Sequence, residues 1–124
     1  MKRIIISMAA LFLIGASTPV AATQNSEKDF IRENMEFAAK QYRLMMKANT
    51  PWKGMPHTSM KNGKPGCYSI KMWTSGFFPG SLWYLSDYLN DRELQDSALA
   101  YTRRMESIKT FTDNHDIGFM MYCS

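Results

Sequence analysis

Several signatures that would point directly to a chemistry are missing from this chain of 124 residues. It has two histidines, His57 and His115, neither with a second Cys or His at ligand spacing, so neither a zinc site nor any other metal centre is expected. No glycine-rich phosphate loop and no G-x-S-x-G elbow is present, which leaves nucleotide binding and that form of serine hydrolysis without a basis. Lysine and arginine outnumber acids by 15 to 11, a net charge of +4. Yet Lys40, Arg43, Lys47, Lys53, Lys61, Lys64 and Lys71 are scattered rather than gathered on one face, which argues against nucleic acid as a partner. The apolar run Ile4 to Ile14 falls short of the roughly 20 residues that a membrane-spanning helix needs, so no stable membrane anchor is expected. Strand-type alternation is scarce too, apart from a short hairpin signal around Asn62-Gly63.

The beginning of the chain reads as an export signal. Met1-Lys2-Arg3 is basic, Ile4 to Ile14 is apolar, and Ser17-Thr18-Pro19-Val20-Ala21-Ala22 is small and rich in breakers. Residues 1–22 are expected to be a signal peptide cut after Ala22, which places the mature protein in the periplasm. Cutting there removes Lys2 and Arg3 and leaves 13 bases against 11 acids, a net +2 that says little about partners. In an oxidising compartment the two cysteines, Cys67 and Cys123, have the opportunity to pair. Cys123 reads equally well as a small buried hydrophobe, and both readings stay open. Residues 23–124 are enough for one small domain. However, Phe119 to Cys123 is apolar and stops on Ser124 without a polar tail or glycine stop, so these residues are expected to be the N-terminal part of a longer protein.

The mature stretch is patterned for helices. Ser26 with Asp29 gives a weak capping signal, and Ile31, Met35, Ala38, Tyr42 and Met45 step by four and three along one face. That helix should stop before Thr50-Pro51, because the residue before a proline is driven out of the α region. Residues 51–72 are irregular, with Trp52 and Tyr68 available to pack the loop. A second helix carries Pro79 in its first turn and Leu82, Leu85 and Leu89 on one face; Gly76 and Gly80 suit a close backbone approach or unusual dihedrals. Asn90 or Asp91 caps a third helix, whose core face is Leu94, Ala98, Tyr101, Met105 and Ile108 and whose end is closed by Lys109. A fourth starts near Asp116 or Ile117. Helix pairs with a polar loop at one end point to an all-α fold, either a bundle or the start of a helical toroid. The eleven methionines are adaptable core filler.

The chemistry concentrates in Asp113-Asn114-His115-Asp116, a polar loop running into the apolar stretch that begins at Ile117. A carboxylate beside an imidazole at the mouth of a rigid element suits acid/base or sugar-binding work. The alternative is that Asp113, Asn114 and Asp116 simply compete to cap the helix. Trp73 has two readings as well, an indole plugging the core or one exposed to stack on a sugar ring.

Two stretches, Trp73-Thr74-Ser75-Gly76-Phe77-Phe78-Pro79-Gly80 with Leu82-Trp83-Tyr84-Leu85, and Asn114-His115-Asp116-Ile117-Gly118-Phe119-Met120-Met121-Tyr122-Cys123-Ser124, resemble the unsaturated glucuronyl hydrolases of glycoside hydrolase family 88. The resemblance implies an (α/α)6 toroid, here incomplete and limited to the first helix pairs. It also implies a cofactor-free reaction on oligosaccharides left by polysaccharide lyases, in which water is added across the C4=C5 bond of the terminal unsaturated uronic acid. Carried over residue by residue, Asp116 becomes the first active-site carboxylate, His115 a substrate contact and Trp73 a stacking wall. The second aspartate of the family lies beyond Ser124, so the chain by itself is expected to be inactive. Two rival readings are an unsaturated rhamnogalacturonyl hydrolase and a small secreted helical carbohydrate-binding module that uses Trp52, Trp73 and Trp83.

Overall fold

The computed structural model describes residues 20–59, 62 and 64–124, the side chains of residues 20–25 and 59 excepted. Most of the expected signal peptide therefore lies outside the described residues. The fold is all-α in character, with helices α1 (Val20–Ala48), α2 (Phe77–Leu89), α3 (Arg92–Met105) and α4 (Ile117–Tyr122) and one antiparallel hairpin, β1 (Met55–Ser59) and β2 (Pro65–Tyr68). The hairpin brackets the expected Asn62-Gly63 turn, and its register slips between Pro56 and Thr58. No described helix is long and apolar enough to cross a membrane.

At the centre lies α2, which touches α1, α3 and β1. Leu82 and Leu85 are buried on the face that the leucine spacing marks out, opposite Leu94, Ala98, Tyr101 and Met105 of α3. Complete burial of an apolar side chain of this size is worth about 1.5–3 kcal/mol, so Leu82, Leu94, Met105 and Met120, each at 0% exposure, dominate the apolar stabilisation. Met35, Ala38, Tyr42 and Met45 face this core from α1, as their spacing requires. Ile31 does not; it is 42% exposed, because the first half of α1 runs past the edge of the core, and Ala39 is the buried residue instead.

Asp91 caps α3, its side chain accepting from the Leu94 N–H at 3.0 Å, while Asn90 takes the left-handed conformation (φ 51°) that ends α2. The Leu94 N–H and the Arg43 guanidinium of α1 together hold the Asp91 carboxyl below its ordinary range. A short 3₁₀ turn, Glu106–Ile108, finishes α3, and Lys109 pairs there with Glu106 at 2.7 Å.

Asn49, just after α1, is 2% exposed and ties three segments together. Its amide donates to the Gly54 carbonyl (2.8 Å) and to the Tyr101 hydroxyl (3.3 Å), while its carbonyl oxygen accepts from the Lys53 N–H (3.1 Å) and the Cys67 thiol (3.2 Å). Burial pushes the Cys67 thiol up. Both cysteines are free.

Gly76 and Gly80 provide the close approach that their positions suggest. A Cβ on Gly76 would collide with the carbonyl oxygens of Phe119 and Met120, and one on Gly80 with that of Cys123. The backbone of α4 thus rests directly on α2. Gly118 meets only the Tyr122 Cδ2, at an ordinary 3.9 Å.

Two outcomes follow for stability. Gly80→Ala should cost about 1–3 kcal/mol by forcing α4 off its seat, whereas Gly118→Ala should be neutral or slightly stabilising; urea unfolding of both variants checks this. Asp91→Asn should lower stability at neutral pH. Because the folded state depresses the Asp91 pKa, its charged-form contribution is complete well above pH 3.8 and is lost as the pH falls through the folded value. The gap between wild type and Asp91→Asn in urea midpoint should therefore narrow towards strong acid.

Candidate functional site

The loop from Lys109 to Asp116 delivers the candidate acid to the start of α4. Asp116 occupies the N-cap position, yet its side chain accepts no capping hydrogen bond. The local polar work falls to Asn114, whose Oδ1 accepts from the Asp116 N–H (2.9 Å) and whose carbonyl accepts from the Ile117 N–H (3.3 Å). This is the asparagine turn favoured before helices. The Asp116 carbonyl starts the helix ladder, accepting from Phe119 and Met120. Its carboxylate is left half-buried (27% side-chain exposure), with one oxygen 3.4 Å from the His115 Nε2. His115 itself projects into solvent, 93% of its side chain exposed. The contact is an ion pair only when the imidazole is protonated.

Trp73 lies in the turn before α2 and is 43% exposed. Its ring stands edge-to-face against Phe77 (5.8 Å between centroids) and Phe119 (6.3 Å), and these two phenylalanines are 6.1 Å apart. The structure thus joins Trp73 to the helix that Asp116 begins, with Phe119 as the link three residues after the acid. No hydrogen bond joins Trp73 to Asp116. Phe77 and Phe119 carry no signal of their own in the sequence, because Trp73 lies in a turn outside α2 and only the fold brings the three rings together.

The other two indoles are occupied elsewhere. Trp52 packs on Tyr101 at 5.3 Å, with the Arg104 guanidinium 4.0 Å above its ring. Trp83 donates its N–H to the Thr102 hydroxyl at 3.0 Å. Both hold helix α3 in place, which weakens the reading in which all three tryptophans form a carbohydrate surface. A groove of about 730 Å³ between α2 and α4 is lined by Trp83, Tyr84, Asp87, Tyr122 and Ser124 among others, but by none of Asp116, His115 and Trp73. Among the described residues no group of three or more His, Cys, Asp or Glu side chains converges as a metal site would require.

What the fold and this arrangement describe is a helical chain with a carboxylate that makes no capping bond beside an imidazole, together with a ledge of aromatic rings. Comparison with known proteins narrows that class. The chain is 44% identical over 54 residues to an unsaturated glucuronyl hydrolase of Formosa agariphila, a match covering 44% of the chain and 14% of the relative. It is 30% identical over 69 residues to an unsaturated glucuronyl hydrolase of Bacillus sp., covering 52% of the chain and 18% of the relative. The resemblance read from the two sequence stretches is therefore borne out, and the chain matches less than a fifth of the length of either relative. No family model matches, and no solved structure matches.

Proposed function

We propose that residues 23–124 form part of an unsaturated glucuronyl hydrolase of glycoside hydrolase type, exported to the periplasm, and that Asp116 is its first active-site carboxylate. Besides the similarity to the two hydrolases, one observation carries this reading: the Asp116 carboxylate sits at a helix start and accepts no capping hydrogen bond, while Asn114 closes its turn on the Asp116 backbone N–H and leaves the carboxylate free. An acid released from local bonding keeps its lone pairs for a substrate hydroxyl or a reacting proton.

In this reading water adds across the C4=C5 bond of a terminal unsaturated uronic acid. A proton goes to C4, hydroxyl goes to C5, and the resulting hemiketal opens and releases the remaining sugar. Asp116 binds the sugar and assists the residue that transfers the proton. His115, within 3.4 Å and solvent-facing, contacts the substrate, and Trp73 with its phenylalanine neighbours forms the stacking wall. Carboxyl groups that act on a sugar must flank the reacting atoms, and Asp116 supplies one side only. The chain on its own is therefore proposed to turn over no substrate.

A graft tests both halves of the proposal. Residues 73–124 placed over the matching segment of the Formosa agariphila hydrolase should give an enzyme that removes the ultraviolet absorbance of an unsaturated disaccharide. Asp116→Asn in that chimera should lower the rate by about 10²–10⁴-fold with folding intact. The isolated chain should leave the absorbance unchanged. A folded chimera indifferent to Asp116→Asn would refute the assignment.

A further inference from the structure

Helix α1 carries a second apolar stripe on the side away from the core. Phe30, Phe37 and Leu44 are spaced seven and seven apart and are 66%, 64% and 53% exposed, so three large side chains line one helix face with no described residue over them. Seven residues are close to two helical turns, so the three side chains lie in one line along α1, with Glu33, Lys40 and Lys47 beside them. Isolated exposed hydrophobes are ordinary, but a collinear row of this size marks a contact surface.

The charges of α1 indicate the occupant. From Glu27 to Glu36 there are four acids and two bases; from Lys40 to Lys47 there are three bases, Lys40, Arg43 and Lys47, and no acid. A second α1 laid parallel would set like charge against like. Laid antiparallel, it sets the acidic half of each helix against the basic half of the other. We infer that this stripe is a self-association surface, on which α1 pairs antiparallel with α1 of a second copy about a two-fold axis near Phe37. In that register Phe30 of each copy lies opposite Leu44 of the other. It meets there a groove of about 390 Å³ between α1 and the hairpin, lined by Gln41, Leu44, Met45, Ala48, His57 and Pro65 among others. Glu33 comes beside Lys40 of the other copy, twice by symmetry. Arg43 is committed within its own chain to Asp91 and Glu93, so Lys40 and Lys47 are the bases available across the axis. This surface lies apart from Asp116, Trp73 and the reading of the site.

Sedimentation velocity of the purified chain over a concentration series should show a reversible dimer. Phe37→Glu changes an exposed side chain and should give a monomer of unchanged helix content by circular dichroism. Glu33→Lys should weaken dimerisation by about tenfold, and adding Lys40→Glu to it should restore the dimer. A monomer at every concentration, a dimer that survives Phe37→Glu, or aggregates indifferent to that change would each overturn the inference. A double charge swap that fails to restore association would overturn the antiparallel register.

Discussion

The contact on which the candidate site depends is backbone against backbone. Three carbonyl oxygens of the α4 segment occupy the space where Cβ atoms of Gly76 and Gly80 would otherwise stand. With six residues, α4 is too short to hold itself together by its own hydrogen bonds. Its position is therefore set by α2, with Met120 driven fully into the core beneath it. Asp116 at its start and Phe119 in its first half are placed by that seat. The ring contacts from Phe119 to Trp73 and Phe77 follow from the same placement.

The other end of the molecule is organised by a polar hub. Asn49 uses both ends of its amide to join the turn after α1, the hairpin and α3, four hydrogen bonds from one buried side chain. Such a group is costly to bury without partners and fixes a single arrangement when satisfied. It gives the irregular segment after Thr50 a defined path, and the Trp52 ring, packed on Tyr101 with the Arg104 guanidinium over both rings, fastens that path to α3.

Much of this could be read from the sequence where one local pattern decides. The α2 and α3 faces follow from leucine and alanine spacing, the end of α1 from Thr50-Pro51, and the α3 cap from Asp91, because each depends on residues a few positions apart. The hairpin was visible at its turn but not along its strands, since β1 contains Pro56 and its register slips at His57, which breaks any alternation. Asn49 gave no signal; its partners are at 53, 54, 67 and 101, and only the folded chain brings them together. Ile31 carried the right period for the core and lies beyond its edge, because periodicity gives a direction and not a reach. At the site, the motif singled out Asp116, His115 and Trp73. That α4 has no side-chain cap, with Asn114 turned instead onto the Asp116 N–H, was not legible, since either residue type can cap a helix and only the hydrogen bonds distinguish them.

Gly76 and Gly80 are separated by four residues, close to one full turn of α2. A seat with that spacing behaves like a ratchet tooth: the α4 backbone fits where the two Cβ atoms are missing. Extra or missing residues between Ile108 and Asn114 would then be taken up by bulging of the connecting loop, not by sliding of the short helix. The acid's location is in effect referenced to two missing methyl groups, so the length of the polar approach can drift while the carboxylate stays in place.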